Sequence, residues 1–267
     1  MSAGIRSACA ALNRDRTRGL LEAGQQTPPG ESVSPDVWAA AFARRAEEWD
    51  VPIVDLSRLS ITHDADGFVT SRVLVPLPSG AEAAPYLDQE ERVVYKLFDL
   101  RANGALGKKL TFNFSGDGLE VEVSDATWID TMEKLSVLNA GGGLPTEVIG
   151  LASTGDYLLA KQPLAYPFED FHSDREMAES MMKGIVPIGG GLRQRVIVSH
   201  VESRPWMIGD LHERNIMRDS SGRPTIIDAL LGKITPRAQR EHQWLSKACS
   251  DAKIFRESNR RPVNSFE

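Results

Sequence analysis

Two cysteines in 267 residues, Cys9 and Cys249, are too few for a disulfide framework or for a thiolate zinc site. Free thiols and a cytoplasmic location are the expectation. No apolar run approaches the roughly 18 residues that a membrane-spanning helix requires. The opening stretch holds only a short apolar patch, residues 8–12, before Arg14, Asp15, Arg16 and Arg18. A secretory signal needs a longer apolar centre, so none is expected. The five histidines form no His-Glu-x-x-His pattern, which argues against a zinc hydrolase, and no Gly-x-Ser-x-Gly elbow occurs. Neither Gly141-Gly142-Gly143 nor Gly189-Gly190-Gly191 is followed by the Lys-Ser/Thr of a P-loop. There is no internal repeat and no low-complexity tract. A net charge of −6 gives no general footprint for nucleic acid.

The chain is 41% hydrophobic and 25% charged, enough for a sizeable buried core in one domain or two small lobes. Residues 1–34 read as an appendage ending in the linker chemistry of Gln25-Gln26-Thr27-Pro28-Pro29-Gly30. Ser34 and Pro35 then signal a helix start, followed by Val37, Trp38, Ala41 and Phe42 at helical spacing. From residue 53 the pattern becomes strand-like. Residues 92–98 form a β-branched, aromatic run containing Lys96. Two further runs, 110–114 and 119–123, are joined across Ser115-Gly116-Asp117-Gly118 as a hairpin. Asp125 is the expected cap of a helix carrying Trp128, Ile129, Met132, Leu135 and Leu138, which ends at the glycines 141–143. Residues 146–149 and 156–160 form another strand pair. The expected plan is α+β: an N-terminal lobe over 35–160, rich in strands, and a short, mostly helical C-terminal lobe over 161–267.

The chemistry concentrates in Gly209-Asp210-Leu211-His212-Glu213-Arg214-Asn215 and in Pro224-Thr225-Ile226-Ile227-Asp228. An Asp, an Asn five positions on, and a second Asp after an apolar strand suit a metal–nucleotide site. Mg²⁺ takes hard oxygen ligands, one or two from protein and the rest from phosphates and water. Asn215 and Asp228 are the candidate metal ligands, and Asp210 is the candidate for orienting an attacking hydroxyl. Asp219-Ser220-Ser221-Gly222 reads as a hairpin turn that brings both metal ligands to one rim. His212 is expected to hold the loop through backbone hydrogen bonds.

These residues resemble the protein-kinase-like superfamily, whose catalytic loop runs Asp-x-x-x-x-Asn before a metal-binding Asp. From Lys96 to Asp228 the chain is most similar to the Ser/Thr/Tyr-type kinase domain found in polyvalent proteins of phages and mobile elements. The matching stretches are Val94-Tyr95-Lys96-Leu97-Phe98-Asp99, the helix with Glu133-Lys134-Leu135, and the loop at Asp210. The resemblance implies a compact two-lobed fold that binds ATP and Mg²⁺ and transfers a phosphoryl group to a protein or small-molecule acceptor. It implies that Lys96 holds phosphates and that a helix carboxylate partners it, Glu133 first and Asp130 second. It implies a phosphate-covering loop at Gly80 and an adenine-binding hinge near Lys161 and Gln162. The loop around Gly80 has one glycine where such kinases have three, and Asp228-Ala229-Leu230 stands in place of Asp-Phe-Gly. Two alternatives follow: a pseudokinase serving as an interaction module, and an aminoglycoside-type small-molecule phosphotransferase.

Overall fold

The computed structural model describes residues 44–258 except 45, 64–68, 72, 79–82, 101–106, 116–117, 156, 169, 171, 174, 176, 179–185 and 188–195. The expected appendage, most of the helix after Ser34, and the loop at Gly80 lie outside the described residues. The described chain is a strand-rich mixture of strands and helices, and it divides into two compact units. One takes the residues up to Gly107 together with Glu147–Gln162; the other takes Lys108–Thr146 and the chain from Pro163 onward. The N-terminal lobe expected over 35–160 includes Lys108–Thr146 as well, a stretch that this division groups with the later chain.

In the first unit a six-stranded sheet runs in the order β1-β9-β10-β6-β5-β4. Its strands are β1 (Ile53–Val54), β4 (Val75–Pro76), β5 (Ala84–Asp88), β6 (Val93–Asp99), β9 (Glu147–Ala152) and β10 (Tyr157–Pro163). β1 lies parallel to β9, and β9 pairs antiparallel with β10. Pro76 is in the edge strand β4, where a missing N–H costs no ladder bond. Leu56, Ile61, Tyr86, Tyr95, Leu97 and Leu159 form its core. Lys96 is half-buried in the middle of β6, opposite Pro85 of β5. Two short strands, β2 (Ile61–His63) and β3 (Val69–Ser71), pair separately.

The second unit is built on the antiparallel sheet β11-β12-β13-β16. Here β11 is Val186–Pro187, β12 is Ile197–Val201, β13 is Arg204–Gly209 and β16 is Leu230–Lys233. Both faces of this sheet are buried. On β13, Trp206 and Ile208 enter one core together with Val137 and Leu138, while Met207 between them enters another with Leu245, Ala248 and Cys249. That alternation puts helix α1 (Trp128–Gly141) on one face and helices α2 (Pro236–Glu241) and α3 (Gln243–Ser258) on the other. Burial pushes the Cys249 thiol up to about 12, so at neutral pH it is an inert apolar filler.

The expectation of a mostly helical C-terminal half is corrected by these strands. A strand buried on both faces is a continuous apolar run without alternation, which its sequence does not separate from a buried helix. The hairpin of β7 (Lys108–Ser115) and β8 (Gly118–Asp125) matches its expected position, with Ser115 opposite Gly118 at the turn. It belongs with the C-terminal unit, because β7 packs along β16: a Cβ on Gly232 would sit 2.3 Å from the Phe112 ring and 2.7 Å from the Leu110 carbonyl oxygen.

Helix α1 occupies its expected span, but its cap is Thr127 and not Asp125. The Thr127 hydroxyl accepts the Asp130 N–H at 3.3 Å, and the Asp130 carboxylate accepts the Thr127 N–H at 3.0 Å. This reciprocal arrangement satisfies two of the donors a helix start leaves open. Asp125 instead closes β8 and pairs with Lys108 across the hairpin. Gly142, at φ 96°, ends the helix in the left-handed conformation that glycine adopts without a side-chain clash.

Candidate functional site

β13 delivers the chain at Gly209 into a tight loop that carries Asp210. This residue has φ 62°, a left-handed conformation uncommon for a non-glycine residue but tolerated by Asp. The loop is closed by its own backbone: the His212 N–H donates to the Asp210 carbonyl at 3.0 Å, and the Asn215 N–H to the His212 carbonyl at 2.9 Å. The Asn215 side-chain amide then ties the loop across, donating to the Asp210 carbonyl at 2.8 Å and to its Oδ2 at 2.9 Å. With its NH₂ directed at Asp210, Asn215 has its oxygen as the remaining acceptor. The Asp210 side chain is 27% exposed, held by the loop yet open to solvent.

His212 performs the loop-holding role expected of it. Its Nδ1 accepts the Arg214 N–H at 3.1 Å, and its Nε2 faces Asp210 Oδ1 at 3.5 Å. An Nδ1 that accepts leaves the proton of the neutral ring on Nε2, directed toward the carboxylate.

Asn215 leads into β14 (Ile216–Arg218), which pairs with β15 (Pro224–Ile226). Ile216 lies opposite Ile226, and the Ile227 N–H donates to the Asn215 carbonyl at 2.9 Å. The register therefore sets Asn215 beside residue 227, with Asp228 next along. The turn at the far end is locked by Asp219. Its Oδ1 accepts the Ser221 N–H at 2.8 Å and the Arg223 N–H at 3.0 Å, and its Oδ2 accepts the Arg223 guanidinium at 3.0 Å. Burial raises the Asp219 carboxyl, but the hydrogen bonds from Ser221 and Arg223 outweigh it and hold the pKa at about 2.

Asp228 has a partner that the sequence reading missed. Lys134 of α1 places its Nζ 3.2 Å from Asp228 Oδ1, the oxygen that also accepts the Ala229 N–H at 2.9 Å. The two ends of this pair differ in environment: the Lys134 side chain is 5% exposed and the Asp228 side chain 36%. Lys134 lies on the buried face of α1, between Thr131 and Leu138 at helical spacing. The sequence signal for this role is a lysine beside Leu135 and four residues before Leu138, among the apolar positions of the helix.

Glu133 of the same helix turns to a different side. It pairs with Lys233 of β16, while Asp130 takes Lys109 at 2.6 Å and has Lys233 at 3.8 Å. Burial raises the Asp130 carboxyl, but the Lys109 ammonium and the Thr127 donors overcome that and leave it below the usual range. These residues line a cavity of about 720 Å³ with Trp206, Gly232 and Arg237, and its walls include none of Asp210, Asn215, Asp228 or Lys134. Glu133 is therefore engaged within the second unit.

Lys96, Lys161 and Gln162 belong to the first unit. Lys161 donates to Glu91 Oε2 at 2.8 Å and lies 5.7 Å from the centre of the Tyr95 ring. Its hydrogen bond to Glu91 raises its pKa. Gln162 is buried at 3% exposure.

For Mg²⁺ the expected donor set is chemically suitable: a carboxylate oxygen from Asp228 and an amide oxygen from Asn215 are both hard ligands. Among the described residues, no group of three or more His, Cys, Asp or Glu side chains could hold a metal by itself. Any ion here would draw the rest of its shell from phosphate and water. Among the described residues, no helix is long and apolar enough to cross a membrane. No protein-family model, no curated protein and no solved structure matches the chain.

Proposed function

We propose that this chain is an ATP- and Mg²⁺-dependent phosphotransferase of the protein-kinase-like type, acting on a hydroxyl acceptor. The observation that carries the reading is the stitching of three separated residues into one local site. The Asn215 amide grips Asp210, the Asn215 carbonyl receives the Ile227 N–H, and Asp228 follows at the open end of the same hairpin. The Asp210 carboxylate is bound by the Asn215 side chain and left partly open to solvent, the setting that a hydroxyl-orienting carboxylate needs.

In this reading Asp210 orients the acceptor hydroxyl and accepts its proton as the hydroxyl oxygen bonds to the γ-phosphorus of ATP and the bond from that phosphorus to the bridging oxygen breaks, releasing ADP. His212 and Asn215 keep the carboxylate in one orientation, so little reorganisation is needed at the moment of transfer. Asn215 and Asp228 would hold the metal, which supplies charge neutralisation to the phosphoryl group when bound. Lys96 keeps its proposed role as a phosphate ligand. The two-lobed arrangement of such enzymes is likewise part of the proposal.

The test is transfer of label from γ-labelled ATP with Mg²⁺, to the protein itself and to generic protein and small-molecule hydroxyl acceptors. Asp210→Asn keeps the shape of the side chain and removes its charge. It is expected to lower transfer by roughly 10²–10⁴-fold while leaving nucleotide binding nearly intact. Equal transfer by the variant would remove Asp210 from the chemistry. One observation favours a second reading, an interaction module of the same ancestry: Asp228 Oδ1 already carries a buried ammonium. Binding of ATP without any transfer would select that alternative.

A further inference from the structure

We infer that Lys134 is the fixed cation of this site, keeping free divalent metal off Asp228 and admitting metal only as the complex of a polyphosphate. The nature of that ligand rests on the phosphotransferase reading above.

Lysine is almost never fully buried unless paired, and among the described residues Lys134 is the lysine that the fold buries. Its place on α1 is one that a leucine or methionine would fill with less desolvation, since Leu135, Val137 and Leu138 around it are core residues. The ammonium is also held in place. At its N-terminus α1 is fixed by the Thr127–Asp130 capping box and by the Lys109–Asp130 ion pair. At its C-terminus Asn139 exchanges two hydrogen bonds with the Thr146 backbone, at 2.9 and 2.8 Å, and the Leu144 N–H donates to the Ile226 carbonyl of β15 at 2.9 Å. The helix is thereby tied to the strand that leads to Asp228.

The burial is one-sided: the cation lies inside, and the carboxylate it holds faces partly outward. A bare metal ion approaching Asp228 meets a carboxylate already compensated by a positive charge on Oδ1, and that charge repels the ion through the low-dielectric interior. A metal–polyphosphate complex has net negative charge, so the same ammonium attracts it. One fixed charge thus has opposite effects on the two ligands.

The experiment titrates Mn²⁺ alone, read by the electron paramagnetic resonance of the free ion, and Mg·ATP, read by calorimetry, into the full chain. Wild type is compared with Lys134→Met, Lys134→Gln and Lys134→Met/Asp228→Asn. Met keeps the length of the stem on an apolar face, and Gln serves as the second neutral variant should Met not fold. Both neutral variants are expected to bind Mn²⁺ roughly tenfold tighter or more, a gain lost on adding Asp228→Asn, and Mg·ATP roughly tenfold weaker. Unchanged Mn²⁺ affinity in both neutral variants overturns the inference, whatever ATP does. A gain in Mn²⁺ affinity with unchanged Mg·ATP affinity overturns the attraction of the polyphosphate complex. A protein that gains the Asp228-dependent Mn²⁺ site but binds no Mg·ATP in any form sinks the phosphotransferase reading and leaves exclusion of free metal standing.

Discussion

Breaking the Lys134–Asp228 pair from its two ends should have very different consequences for stability. Unit charges 3.2 Å apart attract by about 5 kcal/mol at an effective dielectric near 20. Part of this is offset by the cost of burying the ammonium, whose side chain is 5% exposed. Asp228→Ala removes the anion but leaves the cation inside, for an expected loss of roughly 3 kcal/mol. For a unit of this size that is a fall of about 6–12 °C in melting temperature. Lys134→Met removes the buried charge and keeps most of the stem's packing. The carboxylate it abandons is 36% exposed and can be solvated, so the expected change stays within about 1 kcal/mol. The double variant should recover about 2 kcal/mol relative to the sum of the singles. Asp228→Ala also strips the Ala229 N–H of its acceptor, but that cost is common to the single and double variants and cancels in the coupling energy. The assay is urea and thermal unfolding of all four proteins without nucleotide or metal. Strictly additive losses, or Lys134→Met falling as far as Asp228→Ala, would refute the reasoning.

Gly232→Ala should destabilise the second unit by about 2 kcal/mol or more, because the new Cβ meets the Leu110 carbonyl at 2.7 Å, where backbone and not a side-chain tip must yield. An unchanged melting temperature would mean that β7 does not lie against β16 as described. Acid should loosen the β14–β15 turn. The Asp219 pKa is depressed to about 2 in the folded chain, so its contribution is complete above the unfolded value near 4 and disappears as pH falls from about 4 through 2. With screening at this surface turn the contribution is about 1 kcal/mol. It is checked by carboxyl NMR of Asp219 against pH, and a midpoint near 4 would show that the Ser221 and Arg223 bonds do not persist in solution.

The local sequence by itself determined two hairpins of the second unit, β7–β8 and β14–β15, and the span of α1. The turns at 115–118 and 219–222 act through residues within a few positions of one another, as do the helical period from Trp128 to Leu138 and the glycine stop at Gly142. The Asp210, Asn215 and Asp228 spacing was legible for the same reason: loop and hairpin are adjacent in sequence, so their contacts are short-range. Everything that depended on a distant partner was decided by tertiary structure. Asp125 and Thr127 are both good helix caps, and the pairing of Asp125 with Lys108 left the cap to Thr127. Strands β13 and β16 are short runs buried toward both faces, so only their mutual pairing separated them from helices. Glu133 and Lys134 are neighbours about 100° apart around α1. Which of them met Asp228 and which met Lys233 depended on how the helix lies on its sheet, a rotation that no local preference specifies.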